Sequence, residues 1–430
     1  MTQDPVYLPP VPRPGLIRRL TGLRKRMSWK QAFTALRHRN YRLWFWGQIV
    51  SLFGTWMQST ALGFLVFDLT KSPAYLGLVG FVTGIPTWLF MLYAGVIADR
   101  MPRRNLLILT QTAMMLLAFV ITALTFLHWI RPWHVLVLAF LLGTANAFDA
   151  PARQSFVLEM VDREDMTNAI ALNSAMFNTA MAVGPAAGGL IYGFLGPGWC
   201  FFINGATFIA VIVALKRMVL PPFSPPAVRT SVLADLKAGL RYVAGHALIR
   251  TIIGLVGVVS VFGISFVTLF PAWAVNVLHG DAKTNGFLQS ARGIGALCAA
   301  LLIASLGRFQ FRGKLLTAGT FALPVTVALF ALVRWEPLSF LLVFGSGLSV
   351  LLIFNLANAL IQTASPDPLR GRIMGVYTMT FFGLMPLGAL GIGFTAEHLG
   401  QTPAVLIGAA VTFGAAVTLA VFMPHLRREA

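Results

Sequence analysis

The chain has 430 residues, 57% hydrophobic and 11% charged, and a mean hydropathy of +0.76, which excludes an ordinary soluble globular protein. The net charge of +19 would suit a nucleic-acid binder if it were gathered on one surface. It is instead scattered between apolar runs of membrane-spanning length, so no nucleic-acid partner is expected. The two cysteines, Cys200 and Cys298, sit within apolar runs and read as packing residues, without a disulfide, metal or cofactor site.

In chain order, residues 1–14 hold five prolines and read as a tail without fixed structure. Residues 15–39 mix Leu16, Ile17, Leu20, Trp29, Phe33 and Leu36 with many Arg and Lys, the pattern of a segment lying on a membrane surface. The first domain unit is therefore placed at 1–40. Twelve spans follow, near 43–67, 75–98, 106–128, 133–150, 168–194, 200–218, 250–276, 285–306, 315–333, 338–361, 373–395 and 402–423. Alternation in segments of about ten residues, the mark of a membrane barrel, is absent. The run 43–67 is too long for a signal-peptide core and is read as a retained helix.

The Pro-rich stretch PPFSPPAVRT at 221–230 divides the spans into bundles over 41–220 and 248–430. It predicts a linker over 221–247 with a short amphipathic helix around 232–244. At an offset of 209, Phe53-Gly54 matches Phe262-Gly263, Gly77 matches Gly286, Gly84-Ile85 matches Gly293-Ile294, and Arg103 matches Arg312. The expected fold is an all-α polytopic membrane protein of twelve transmembrane helices, built as two six-helix bundles in parallel repeat. Every Lys and Arg except Lys71, Arg131, Lys283, Arg334 and Arg292 falls in the termini or in loops after even-numbered spans. Both termini are therefore expected in the cytoplasm, with the basic excess facing anionic lipid.

Residues 95–104, GVIADRMPRR, close the second span. Basic residues suit any inner helix end, but Asp99 needs a further reason. The stretch resembles the loop signature Gly-x-x-x-Asp-Arg-x-Gly-Arg-Lys/Arg of the major facilitator superfamily, with Gly95, Asp99, Arg100, Arg103 and Arg104 in register and Pro102 replacing the second glycine. The resemblance implies a gate in which Asp99 sits against the N-terminus of span 11 and latches the halves on the cytoplasmic side. The second half's GRFQFRGK at 307–314 keeps Arg308, Arg312 and Lys314 without an acid. Its glycine spacing and Leu315 do not make a P-loop, which disfavours a nucleotide-driven pump.

The stretch FDAPARQSFVLEMVDREDMTNAIALNSAMFN at 148–178, with NYRLWFWGQ near residue 40, FGTWMQ at 53–58 and DLTKSPAYLG at 68–77, is similar to the exporter branch of that superfamily that contains the enterobactin exporter. The branch implies a monomeric exporter in the bacterial inner membrane. It would move a siderophore or another amphipathic small molecule by alternating access; the family commonly couples export to proton entry, although this sequence offers no midplane carboxylate as the proton carrier. Multidrug efflux and lipid or lysolipid flipping are the alternatives. AVGPAAGGLI at 182–191 resembles the fifth-helix export motif through Gly184, Pro185, Gly188 and Gly189, residues suited to close helix packing.

None of the fourteen acids lies near the centre of a span. Asp149 is deepest on the inner side, and Asp68 and Glu397 stand near outer ends. Asp149 and Arg153, four apart, share a helix face and read equally well as a structural ion pair or as a gating and proton-coupling pair. Arg292 lies about two turns inside span 8, where insertion costs roughly 2.5 to 3.5 kcal/mol. It either snorkels outward or meets a polar group of the cargo. Gln48, Ser51, Thr55 and Ser59 recur along span 1, and Asn355 and Asn358 along span 10; with Asn146 and Asn178 they are the candidate cavity lining. No catalytic cluster is present, so an enzyme is not expected.

Overall fold

The computed structural model describes residues 33–220, 232–306 and 311–422. The expected tail over 1–14, most of the surface segment, and Arg308 lie outside these residues. Among the described residues all regular structure is helical. The first bundle consists of α1 (Arg39–Thr70), α2 (Pro73–Arg100), α3 (Arg103–Phe126), α4 (Pro132–Val157), α5 (Met166–Leu195) and α6 (Pro197–Lys216). After α7 (Val232–Gly245), the second contains α8 (Ala247–Val258), α9 (Phe270–Asn276), α10 (Ala282–Leu306), α11 (Arg312–Leu332), α12 (Glu336–Ala364), α13 (Arg370–Leu399) and α14 (Gln401–Phe422).

Local chemistry sets the helix ends. Proline occupies the first turn of α2, α4 and α6, where its missing N–H would have been unpaired in any case. The Ser72 Oγ accepts from the Tyr75 N–H at 3.2 Å and caps α2. Gly196 and Gly400 end α5 and α13 with φ of 92° and 88°, a region glycine enters without a Cβ penalty. The two glycines hold corresponding places in the two halves.

Eleven helical segments are long and apolar enough to cross a membrane, by length and composition. The 30-residue α5 is not among them. Asn168, Asn173, Ser174, Asn178 and four glycines dilute its hydropathy. The same residues let it pack against protein: Gly184 and Gly188 meet α1 at Trp56 and Met57, and Gly189 meets α10.

The seventh apolar run, which the sequence presents as one span, is broken. A π-helical turn at Val259–Gly263 and a 3-10 turn at Ser265–Leu269 separate α8 from α9. The Ser265 Oγ donates to the Val261 carbonyl at 2.5 Å, and Pro271 opens α9. Such breaks in membrane helices are tolerated where protein or a cavity surrounds them.

Each half has its own core. Tyr41, Trp44, Leu107, Phe156 and Leu215 are buried in the first. In the second, the Trp273 and Phe330 rings stack with centroids 4.7 Å apart. The halves meet along two pairs, α2 with α13 and α5 with α10. A Cβ on Gly77 would lie 3.0 Å from the Gly393 Cα, and one on Gly286 would lie 2.9 Å from the Gly189 Cα. Gly84 abuts the Pro386 ring, while Gly293 abuts the Met181 carbonyl. Gly77 and Gly84 are the residues that match Gly286 and Gly293 at the 209-residue offset, so the matched glycines stand in two similar seams.

Candidate functional site

Between the halves lies a cavity of about 510 Å³. Its polar wall comes from Thr55, Gln58 and Ser59 on α1, Thr83 and Thr87 on α2, Asn146 on α4, Asn204 on α6, Ser265 and Thr268 in the broken seventh run, and Gln289 on α10. Among the described residues no ionisable side chain is in that wall. Leu76, Val79, Met114, Phe208, Phe382 and Met385 supply apolar surface. A second pocket of about 210 Å³ shares Thr55, Ser59, Met114, Asn146 and Phe208 with the first, and adds Gln48, Ser51, Gln111, Asp149 and Arg153.

The two seams close one end of this space, the end that carries Ser72, Gly196 and Glu397. At the other end stand Arg100, Arg103 and Arg370. A Cβ on Gly95, Gly371 or Gly375 would meet nothing within 4 Å. The Trp88 indole donates to the Gly383 carbonyl at 2.7 Å, partway along both helices. The glycine contacts between α2 and α13 are therefore found toward the Ser72 and Glu397 end, and Gly95, Gly371 and Gly375 take no part in one.

Asp149 is fully buried. Its Oδ1 accepts from Thr110 and from the Gln111 side-chain amide, both at 2.9 Å, and Arg153 Nε lies 3.3 Å from its Oδ2. That Oδ2 has no hydrogen-bond donor, and neither do the buried carbonyl oxygens of the Gln48 and Gln111 side chains. Gln48, Gln111 and Asp149 all belong to the lining of the smaller pocket.

The other candidate residues fall in several places. Gln48, Thr55, Ser59 and Asn146 line the cavities. Asn178 turns back to the Ser174 carbonyl at 2.8 Å and lies off both walls. Asn355 is exposed, and the Asn358 Oδ1 accepts from Gln362 at 2.6 Å. Arg292 stands one turn from Gln289, with Nε buried and without a hydrogen-bond partner and no ion pair among the described residues. In the loop motif, Gly95 is half-buried, Arg100 is exposed, Arg103 pairs with Glu159, and Arg104 donates to the Met218 carbonyl at 3.3 Å. The Asp99 side chain lies outside the described set, as does its expected contact with α13. Gly184, Pro185, Gly188 and Gly189 form the joint of α5 with α1 and α10.

A central cavity between two similar helical bundles, closed at one end, is the geometry of a carrier. The family model for transmembrane secretion effectors of the major facilitator superfamily matches residues 30–430. The chain belongs to that family. It is 27% identical to the multidrug efflux pump Tap of Mycolicibacterium fortuitum, over 87% of this chain and 93% of that protein. It is 28% identical to the enterobactin exporter EntS of Escherichia coli, over 86% and 90%. It is 24% identical to the staphyloferrin A transporter of Staphylococcus aureus, over 81% and 87%. The nucleoside transporter NupG superposes with a TM-score of 0.70 at 16% identity, covering 90% of this chain and 100% of that one, which shows the shared fold. This is a multi-pass membrane protein of a transporter family.

Family membership gives weight to residues that pattern reading passed over. Gln58 pairs with Asn204 at 2.7 Å, and Thr110 and Gln111 orient Asp149 from α3. The signal was present as isolated amides and hydroxyls in apolar runs, but spacing along one helix cannot join α1 to α6 or α3 to α4.

Proposed function

We propose that the chain exports a siderophore-type, hydroxyl-bearing amphipathic molecule across a bacterial inner membrane, as a monomer working by alternating access. In this reading α5 is the twelfth span, both termini are cytoplasmic, and the end of the cavity opposite Glu397 faces the cytoplasm, where the positive-inside rule places the basic loops. The observation that carries the cargo class is the polar lining that Gln48, Ser51, Gln111 and Asp149 give the smaller pocket, beside the apolar surface of the larger cavity. Side-chain amides, hydroxyls and a carboxylate next to apolar walls favour a guest that brings O–H or N–H donors on an apolar body. Arg292, which lines neither cavity and has no ion pair among the described residues, stands one turn from the wall residue Gln289 and would reach an acidic group of the guest in another state of the transport cycle.

Asp149 also suits proton coupling. Its Oδ2 can take a proton or a donor group of the cargo, and each displaces the other, which is the logic of exchange. A second reading, multidrug efflux, draws support from the uncharged, partly apolar wall of the larger cavity.

Efflux from proteoliposomes tests these roles, using a catecholate siderophore, a carboxylate siderophore and a cationic dye, with and without a pH gradient. Arg292→Ala is expected to slow siderophore efflux about tenfold or more, the size of a lost charge-assisted hydrogen bond, and Asp149→Asn to remove the gradient dependence. Siderophore efflux unchanged in both variants would remove these roles. Transport of the dye alone would establish the second reading.

A further inference from the structure

Glu397 stands in the last turn of α13 (Arg370–Leu399), where the helix's own negative end disfavours a carboxylate. The structure places it against another helix. Its Oε2 accepts from the Ser72 hydroxyl at 2.8 Å and from the Ala74 backbone N–H at 3.1 Å. Those groups form the N-terminus of α2, in the opposite half, so the carboxylate fills the positive end of a helix across the seam. Asp99 has the reciprocal position, in the last turn of α2 (Pro73–Arg100).

The two helices run antiparallel. Residue 72 faces 397, 77 faces 393, 84 faces 386 and 88 faces 383, so facing numbers add to within one of 470. Carried on at that register, Gly95 would meet Gly375, and Asp99 would meet Gly371 at the start of α13. All three glycines now face open space, with nothing within 4 Å of a Cβ built there. At the Glu397 end the pair thus holds a glycine contact and an acid on a helix N-terminus, and the same register places glycines and an acidic position at the other end.

The geometry points to Glu397 as the latch of the outer gate, the counterpart of the Asp99 position, so that α2 and α13 close at one end only as the other opens. The inference rests on the alternating-access reading. It assigns Glu397 a positioning role in the transport cycle: the carboxylate touches no cargo, and its bond to α2 sets how often the outer end opens. Glu397 is exposed, so its replacement leaves the packing of α13 intact.

The test is disulfide formation between Gly95→Cys and Gly375→Cys in the full-length chain in lipid nanodiscs, with Cys200→Ala and Cys298→Ala. This pair can bridge only when the inner end closes to a Cα separation of about 4.4 to 6.8 Å. Adding Glu397→Ala is expected to raise the cross-linking rate about threefold to tenfold, the effect of losing a carboxylate from a helix N-terminus together with its hydrogen bonds. Glu397→Gln is expected to fall between. A destabilised fold would not speed closure at the far end of the same helices. Gly84→Leu serves as a wedge, because it forces the outer seam apart at Pro386 whatever Glu397 does. Faster cross-linking with the wedge but not with either Glu397 variant would overturn the latch and leave alternating access standing. No acceleration with any of the three would overturn both.

Discussion

The α2/α13 and α5/α10 seams share their backbone fit and differ in their polar fastening. Gly77 against Gly393 and Gly286 against Gly189 bring the helices equally close. Beyond that the seams diverge. The N-terminus of α2 is held by Glu397 from the other half. The corresponding end of α10 is capped within its own half, where the Asp281 Oδ1 accepts from the Lys283 N–H at 2.8 Å. The α5/α10 seam is tied lower down, where the Ala186 N–H donates to the Ser290 hydroxyl oxygen at 2.8 Å. Lys283 Nζ also lies 4.2 Å from the centroid of the Phe194 ring across the same seam. The two seams thus share the close approach, which depends on small residues, and differ in their directional contacts. Backbone fit is common to both seams, while a few polar bonds make each one distinct.

The largest expected effect probes what the seams share. Gly84→Leu and Gly293→Leu each place a side chain where Pro386 or the Met181 carbonyl now sits. Overpacking of about 1 to 3 kcal/mol should slow efflux from proteoliposomes about tenfold or more in both, with thermal melting confirming a folded protein. If only one seam responds, their equivalence is broken. Next comes the tie specific to α5/α10. Ser290→Ala removes the acceptor for Ala186, worth about 1 kcal/mol, and should accelerate the Gly95→Cys/Gly375→Cys cross-link roughly fivefold. Lys283→Met, which gives up a partly exposed cation–π contact of about 0.5 to 1 kcal/mol, should change the same rate about two- to fivefold.

The smallest effect is a control away from both seams. Asp165 accepts from His38 at 2.8 Å, and hydrogen bonds from His38 and then Thr34, helped by the nearby Arg37 charge, hold its carboxyl below the usual carboxylate range. A lowered folded-state value means that the stabilisation is complete above the ordinary carboxylate pKa of about 4. It is lost as pH falls through the lowered value. Hydrogen exchange in residues 34–42 should therefore rise below about pH 4, and Asp165→Asn should remove that step. Closure at the Glu397 end should not move with it, because all these contacts lie within the first half.

Much of the fold was legible because it rests on local properties. Eleven of the twelve expected spans appear as helical segments of membrane length and composition, and the amphipathic segment near 232–244 is the helix Val232–Gly245. The seventh run was legible in extent but not in its break, since the π turn depends on local bonds at Ser265 and on the cavity beside it. For the site, the polar stripe of α1 was readable from helical spacing. Gln111, Asn204 and Gln289 were not, because each is a single polar residue whose meaning comes from helices distant in sequence. Glu397 was readable only as an acid near an outer end; its partner on α2 stands 325 residues away.

The sequence by itself determined that the chain crosses a membrane many times as helices, that glycines recur at one offset in its two halves, and where its basic residues gather. In hydrocarbon, every backbone polar group must be satisfied within its own segment, so long apolar runs have few other choices. Only the tertiary structure decided which helices touch, which amides share a pocket, and that the end carrying Glu397 is closed. Lipid is as apolar as the helix faces and expresses no preference among partners. The choice falls to small residues and single hydrogen bonds between segments far apart in the chain.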